Sequence, residues 1–195
     1  YICGEESALI ESLEGKRGDI GVTAEHYAAS AFGTADGPSG TPSDWLTVNG
    51  YMGPDTIEPF LAQPDHGVFV LVRTSNPGSD VVQAHRAGAG PSVAEVLARM
   101  VRTIGQAPGR IGARGLSQVG AVVGATKSAD AEHLRELMPE QYFLVPGYGA
   151  QGGTLEDIRP CLRSVRHAGD SGVVVNASRS VIYAFDPAAD HWEHA

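Results

Sequence analysis

The sequence is poor in cysteine, in basic residues and in long hydrophobic runs, and each shortage excludes a class of protein. Cys3 and Cys161 have no CxxC spacing, so neither a disulfide framework nor a zinc site is predicted. No apolar run reaches the length of about 18 residues that a membrane-spanning helix needs, and residues 1–13 lack a signal-peptide pattern. A net charge of −9 would repel a phosphate backbone. The sequence therefore predicts a cytoplasmic protein that binds neither nucleic acid nor membranes.

Short apolar runs alternate with amphipathic stretches from residue 44 onward, a pattern typical of βαβ units around a mostly parallel sheet. The length of 195 residues predicts one domain, because a chain of that size buries roughly 70% of its unfolded surface. Five apolar runs predict strands at residues 45–48, 68–72, 119–123, 142–145 and 173–175.

Helical periodicity is clearest over residues 93–104, where Ser92 and Glu95 have the spacing of a capping box. Weaker patterns predict helices at residues 24–32, 56–62, 129–138 and 155–164. Ser128 and Thr154 are the predicted N-caps of the last two. Residues 33–43, rich in Gly, Pro, Ser and Thr, predict a loop rather than a domain linker, because the strand and helix pattern resumes at once.

A parallel sheet with right-handed crossovers leaves two architectures, a doubly wound sheet or a (β/α)8 barrel. Both place their chemistry at the carboxyl ends of the strands. Small, polar or glycine residues follow every predicted strand, which indicates that one edge of the sheet faces a polar ligand. The candidates at this edge are Asn49, Ser75, Pro146, Gln151, Gly152, Ser178 and Arg179.

The last two of these loops, residues 146–153 and 176–179, have the composition of a phosphate site. Glycines let backbone N–H groups approach an anion, Gln151 offers an amide, and Arg179 offers a fork of donors. An alternative remains, because residues 147–152 also satisfy GxGxxG after a strand, with Asp170 near the spacing of a ribose-binding acid. Its late position in the chain disfavours a dinucleotide site.

The strongest candidate for a catalytic residue is Lys16, which stands in the sequence between two carboxylates, those of Glu14 and Asp19. On a strand, Glu14 and Lys16 share one face, and Asp19 follows at the carboxyl end. An ammonium group held by carboxylates stays protonated and can donate a proton to a carbanion. The alternative is a solvated loop of mixed charges. Thr23, on the same predicted edge as the candidates above, favours the functional interpretation.

Six segments, in order along the chain, resemble the orotidine 5'-phosphate decarboxylase family, specifically its bacterial branch. They are KRGDIGVTAEHYA (16–28), LTVNGYMGPDTIEPFL (46–61), GVFVLVRTSNPGS (67–79), GAVVGAT (120–126), FLVPGYGAQGG (143–153) and VVVNASRS (173–180). The resemblance implies a (β/α)8 barrel that forms a homodimer with active sites at the subunit interface. It also implies conversion of orotidine 5'-phosphate to uridine 5'-phosphate and CO2, in the last step of pyrimidine synthesis and without metal or organic cofactor.

The same resemblance assigns roles to the candidate residues. Lys16 would donate the proton to C6 of the pyrimidine, and Asp19 would reach the neighbouring subunit's site, with Ile20 and Thr23 beside it. The pyrimidine edge would be read by Ser75. The phosphate would be held by Gln151 and Arg179.

The sequence departs from the family pattern at several points. Glu14 stands where the family's DxKxxD motif has Asp, Gly50 replaces an expected Pro and Ser180 an expected Gly. The residues before Lys16 lack an apolar run, so that strand is predicted to be shortened, and the two strands that precede it in the family are not in the sequence. We therefore expect residues 1–195 to form a single barrel domain, truncated at its N-terminus, with about five or six of eight strands. A non-catalytic member that binds a nucleoside monophosphate is the alternative function.

Overall fold

Five parallel strands form one sheet in the part of the chain that the computed structural model describes, namely residues 20–33, 43–149, 151–165 and 167–177. The strands are β1 (Trp45–Val48), β2 (Gly67–Arg73), β3 (Ser117–Val123), β4 (Gln141–Pro146) and β5 (Val173–Asn176). All five predicted strands are confirmed. Each strand pairs in parallel with the next one along the chain. This sequential order is that of a barrel wall, whereas the order of a doubly wound sheet reverses.

Helices and short 3-10 turns connect these strands. The helices are α1 (Ile20–Phe32), α2 (Asp80–Gln83), α3 (Val93–Gly105), α4 (Ser128–Leu137) and α5 (Leu155–Ile158). The 3-10 turns are Pro54–Thr56, Glu58–Leu61, Pro77–Ser79, Ala125–Lys127, Arg159–Cys161 and Ala168–Asp170. In the described part of the chain, none of the helices has the length and apolar character that a membrane crossing requires.

Two helix predictions are wrong in part, and proline explains both. The expected helix at 56–62 is a pair of 3-10 turns with Pro59 at the start of the second, because proline has no N–H for the helical hydrogen bond. The expected helix at 155–164 ends at Ile158, and a 3-10 turn containing Pro160 follows it. Ser128 is the first residue of α4 rather than its N-cap, whereas Thr154 is the N-cap of α5 as predicted. Of the predicted loop 33–43, residues 34–42 lie outside the described residues.

The core lies between one face of the sheet and the helices. Val68, Val70 and Val72 alternate along β2 with no solvent exposure, and the Val70 side chain faces Leu97 and Met100 of α3 across Gly50. Other buried core residues are Ala98, Val101, Val119, Ala121, Val123, Leu134, Phe143 and Val145. A Cβ on Gly50 would lie 2.7 Å from Val70 Cγ1. A larger residue at position 50 would therefore require the side chains of Val70 and α3 to shift.

The opposite face of the sheet carries an aromatic group near the amino ends of the strands. The Trp45 ring lies 4.6 Å from the Phe69 ring and 5.6 Å from the Tyr142 ring, measured between centroids. These side chains belong to the inward-facing set of β1, β2 and β4, since their neighbours along each strand point toward the helices. In a barrel, such residues fill the interior.

Candidate functional site

The carboxyl ends of the strands lie level with one another. Arg73, the last residue of β2, is in register with Val123, the last residue of β3, and Pro146 of β4 is in register with Asn176 of β5. The loops that begin after these residues therefore leave from the same edge of the sheet. This edge is where the sequence predicts the functional residues.

Ser75 and Gln151 meet around Gly147 at this edge. A Cβ placed on Gly147 would lie 3.1 Å from Ser75 Cβ and 3.3 Å from Gln151 Oε1, and Gly147 has a φ of 95°. Only glycine fits a position with this backbone angle and so little space. Ser75 is half-buried and Gln151 is exposed, so a hydroxyl and an amide stand together at a solvent-facing surface. Pro146 immediately precedes this group.

The backbone of Ser75 is fixed from the side of β3. The Thr126 hydroxyl donates to the carbonyl oxygen of Ser75 at 3.0 Å. A Cβ on Gly124 would lie 2.7 Å from both the nitrogen and the Cα of Ser75. The absence of a side chain at Gly124 therefore lets the loops after β2 and β3 approach closely, and the position of Ser75 depends on both of them.

The glycine loop after β4 closes on itself. Gly149 N–H donates to the Gly153 carbonyl at 2.9 Å, Gly152 N–H to the Gly149 carbonyl at 2.8 Å, and Gly153 N–H to the Gly147 carbonyl at 3.0 Å. Each of these three amides therefore has an acceptor within the loop, and the expected contact between backbone N–H groups of this loop and an anion stays a prediction. An open depression of about 580 Å³ lies beside the loop. Its lining residues are Tyr148, Gly149, Gly153, Thr154, Leu155 and Glu156.

Three other predicted site residues, Asn49, Ile20 and Thr23, lie on other elements than Ser75 and Gln151. Asn49 is exposed, and its Oδ1 accepts the Tyr51 N–H at 3.0 Å, which stabilises the turn after β1. Ile20 begins α1, and Thr23 is a half-buried residue of the same helix. That helix packs beside the 3-10 turn Glu58–Leu61, with an edge-to-face ring contact of 6.4 Å between Phe32 and Phe60.

The predicted catalytic group and half of the predicted phosphate site lie outside the described residues. These residues are Glu14, Lys16, Asp19, Ser178 and Arg179. The register of Asn176 with Pro146 brings the chain to the carboxyl edge just before Ser178 and Arg179. Their roles stay predictions.

A group of charged side chains that the sequence did not predict lies next to the loop that carries Ser75. The buried Arg73 side chain donates to Asp130 Oδ2 and to Asp80 Oδ1, each at 2.6 Å, and to Ser79 Oγ at 3.2 Å. Lys127 Nζ lies 2.8 Å from the same Asp80 oxygen. The hydrogen bonds from Lys127 and then from Arg73 lower the pKa of Asp80. An arginine that ends an apolar strand pattern was the available signal, because a buried charge needs partners.

No set of three or more His, Cys, Asp or Glu side chains among the described residues is arranged to hold a metal ion.

The geometry also disfavours a dinucleotide site. The three glycines of GxGxxG, Gly147, Gly149 and Gly152, follow β4 at the carboxyl edge. Asp170 precedes β5 and so lies toward the amino edge, 3.9 Å from Arg114. An acid at the opposite edge cannot bind the ribose of a dinucleotide held by the glycine loop.

Comparison with known proteins gives a consistent result. A family model described as "Orotidine 5'-phosphate decarboxylase / HUMPS family" matches residues 13–191. An orotidine 5'-phosphate decarboxylase of Rhodopirellula baltica is 41% identical over 97% of this chain and 64% of its own length. One of Azoarcus sp. is 43% identical over 88% of this chain and 57% of its own length. The chain thus spans about three fifths of the length of the curated relatives it matches.

Solved structures agree with the sequence relatives. The OMP decarboxylase of Leishmania donovani is 36% identical with a TM-score of 0.67, over 88% of this chain and 60% of that one. The orotidine 5'-monophosphate decarboxylase of Methanocaldococcus jannaschii, at 20% identity and a TM-score of 0.60 over 94% of this chain and 74% of that one, supports the fold alone. These likenesses confirm the predicted incomplete (β/α)8 barrel of the orotidine 5'-phosphate decarboxylase type, of which the described residues contain five strands.

Proposed function

Because this chain belongs to the orotidine 5'-phosphate decarboxylase family, we propose that it converts orotidine 5'-phosphate to uridine 5'-phosphate and CO2 in pyrimidine synthesis. The observation that carries the proposal is the meeting of Ser75 and Gln151 around Gly147 at the carboxyl edge of the sheet. In this arrangement a hydroxyl and an amide, from two different loops, face one ligand.

The two side chains divide the recognition of the nucleotide. In the proposal, Ser75 binds the polar edge of the pyrimidine, while Gln151 lies between the base and the phosphate. Arg179 follows β5 and completes the phosphate site with a bidentate donor. Because three amides of the glycine loop donate within the loop, phosphate binding depends on the side chains of Gln151 and Arg179. Binding energy from the phosphate is then available to lower the barrier at the base.

Lys16 is the proposed proton donor. When the bond between C6 and the carboxylate breaks, CO2 leaves and the electron pair stays on C6, which the Lys16 ammonium group then protonates. Glu14 and, in the proposed dimer, Asp19 of the partner subunit would hold that ammonium group charged and oriented. The sequence has two lysines, and the other, Lys127, is paired with Asp80. The assignment therefore goes to Lys16, with Ile20 and Thr23 on the following helix and Asn49, Pro146, Gly152 and Ser178 as further proposed substrate contacts.

The assembly and the setting of this function are proposals too. A homodimer in the cytoplasm would let Asp19 of each subunit reach its partner's site, as the family resemblance implies. A sedimentation measurement tests the dimer: a protein that stays monomeric with and without uridine 5'-phosphate would contradict it.

An assay of CO2 release by the purified chain tests the reaction. We expect turnover that Ser75→Ala and Gln151→Ala both reduce, whereas Gln106→Ala leaves it unchanged. Gln106 is a matched control because it is an exposed glutamine after α3, at the amino edge, where it donates to Glu140. Arg179→Ala should weaken binding of uridine 5'-phosphate far more than binding of uridine. Equal losses for both ligands would contradict its phosphate role.

A second function has one observation in its favour, which is Glu14 in place of the family's Asp. A side chain one methylene longer than that of Asp would disturb the charge network proposed around Lys16, which favours a member that binds a nucleoside monophosphate without catalysis. A folded chain that binds uridine 5'-phosphate but releases no CO2 above background would establish this alternative. A Glu14→Asp variant that then gains turnover would identify the cause.

A further inference from the structure

Arg73 occupies a position that regular strand geometry would not give it. Along β2, Val68, Val70 and Val72 face the helices, so regular alternation would direct the next residue toward the inner face. The pairing of β2 with β3 shifts between Leu71 and Arg73, and Arg73 is paired with Val123, a fully buried residue on the helix side. A β-bulge of this kind redirects a side chain. It turns the Arg73 guanidinium toward the helices, behind the loop that carries Ser75.

The guanidinium group joins the two ends of that loop. Arg73 Nη1 donates to Ser79 Oγ at 3.2 Å, and the Ser79 hydroxyl donates to the Thr74 carbonyl at 3.1 Å. The Thr74 N–H also donates to Gln83 Oε1 of α2 at 2.8 Å. Ser75 lies between these anchored residues. A change in the Arg73 side chain therefore acts on both ends of the segment at once.

A second set of contacts connects Arg73 to Ser75 through the loop after β3. Asp80 Oδ1 accepts from Arg73 at 2.6 Å and from Lys127 at 2.8 Å. Lys127 ends the 3-10 turn Ala125–Lys127, in which Thr126 donates to the Ser75 carbonyl. Arg73 also binds Asp130 in the first turn of α4. Two cations and two carboxylates thus connect the loops after β2 and β3, with Ser75 between them.

Arg73 is much more buried than the two carboxylates that it binds. Its side chain is 6% exposed, whereas those of Asp80 and Asp130 are 55% and 50% exposed. The carboxylates keep part of their hydration, but the guanidinium depends on its protein partners. Loss of the arginine removes the links to Ser79, Asp80 and Asp130 together, whereas loss of either carboxylate leaves the arginine bound to the other.

We propose that Arg73 is a positioning residue that holds Ser75 at the nucleotide site by fixing the loops after β2 and β3 to each other. This inference rests on the proposed function only for the identity of the ligand. Arg73 does not touch the ligand and acts through Ser75. It should therefore affect contacts to the base and leave contacts to the phosphate unchanged.

Nucleotide affinity tests this role in the full chain. We expect Arg73→Met to weaken binding of uridine 5'-phosphate and of uridine by the same factor, on the order of tenfold, as displacement of one hydrogen-bonded contact would. Arg73→Lys should recover part of the loss. The control is Arg110→Met, because Arg110 forms an ion pair with Glu58 but precedes β3 and lies at the amino edge. An equal loss for Arg110→Met would overturn the proposal.

A double variant separates positioning from a general effect on stability. If Arg73 acts through Ser75, the combination of Arg73→Met and Ser75→Ala should bind no more weakly than the weaker-binding single variant. Losses that multiply would show that Arg73 affects binding by another route and would overturn the proposal. If Arg73→Met does not fold, the same comparison with Arg73→Lys decides the question.

Amide hydrogen exchange tests the anchoring without any ligand. We expect faster exchange at Thr74, Ser79 and Gly124 in Arg73→Lys than in the parent chain, with unchanged exchange in β4. Exchange at these three amides that stays as slow as in the parent would overturn the anchoring. If the parent chain binds neither uridine nor uridine 5'-phosphate, the proposed function fails for this chain, and the exchange result still decides whether Arg73 fixes the loop.

Discussion

The guanidinium carbon of Arg135 lies 3.6 Å from the centre of the Phe143 ring. The same group donates to the carbonyls of Met138, Gln141, Cys161 and Gly172, at 2.7 to 3.1 Å. Burial lowers the pKa of Arg135 to about 10, so it still carries its charge at neutral pH. This arginine ties the end of α4 to the amino ends of β4 and β5. The amino edge of the sheet is thus built for stability, while the candidate site occupies the opposite edge.

Replacement of Arg135 should lower the free energy of unfolding more than replacement of an exposed arginine. We expect Arg135→Met to cost about 3 kcal/mol or more, because it leaves several buried carbonyls without a donor. Arg135→Lys should cost less but still measurably, since a lysine cannot supply the same planar fork. Urea unfolding measures both. Arg99→Met, at an exposed position of α3, is the control, and a similar loss for the control would contradict this role.

Cys161 should make stability fall at alkaline pH. Burial raises the pKa of this thiol to about 11 from an ordinary value of 9.0. Between these values the unfolded chain releases the thiol proton and the folded chain does not, so ionisation favours unfolding as the pH rises. Relative to Cys161→Ala, the parent chain should lose about 2 kcal/mol of unfolding free energy between about pH 8 and about pH 10.5. Parallel pH profiles for the two proteins would refute this prediction.

The strands were predictable because burial on the helix side leaves an apolar pattern that the sequence carries directly. The direction of the Arg73 side chain was not predictable: an arginine at the end of β2 indicates a charge that needs partners, but the bulge that redirects it arises from the pairing of two strands. The capping box at α3 illustrates the same limit. Ser92 accepts the Glu95 N–H at 3.2 Å as predicted, but the Glu95 carboxylate binds Arg86 instead of returning to Ser92. Local spacing predicts a local contact, and a competing partner from another segment is visible only in the fold.

For the candidate site, the residues could be predicted from the sequence but their mutual contacts could not. Position after a strand identified Ser75 and Gln151, because all parallel strands end at one edge. Their common dependence on Gly147 was not predictable, since it comes from the close approach of two loops in space.

Gly147→Ala should weaken nucleotide binding, whereas a control glycine substitution with a similar stability loss should not. The new methyl group would lie 3.1 Å from Ser75 Cβ and 3.3 Å from Gln151 Oε1, so both side chains must move. Gly109→Ala is the matched control, because Gly109 also has a positive φ, of 84°, but has nothing within 4 Å of a new Cβ. Both variants should lose about 1 kcal/mol or more of stability through backbone strain. Calorimetric titration with uridine 5'-phosphate should show weaker binding for Gly147→Ala alone, and equal affinities would contradict the arrangement.

Asp80 should contribute to stability at neutral pH and lose that contribution in acid. The hydrogen bonds from Lys127 and Arg73 lower the pKa of its carboxyl group below the ordinary value of 3.8. For an acid with a lowered pKa in the folded state, the stabilisation is present above the ordinary pKa and is lost as the pH falls through the folded-state pKa. Asp80→Asn should therefore melt at a lower temperature than the parent at about pH 7, and the difference should shrink toward about pH 3.

Two comparisons make the Asp80 prediction specific to its partners. Asp65→Asn, at an exposed position in the loop before β2, should melt within error of the parent at each pH, because its side chain lies in solvent. Lys127→Met should reproduce part of the Asp80→Asn effect, since Lys127 is one of the two donors to Asp80. The two donors share one oxygen, so the combined variant Asp80→Asn with Lys127→Met should melt higher than the sum of the separate losses predicts. A melting-temperature difference for Asp80→Asn that stays constant from neutral to acid pH would show that the carboxylate acts through its size and not through its charge.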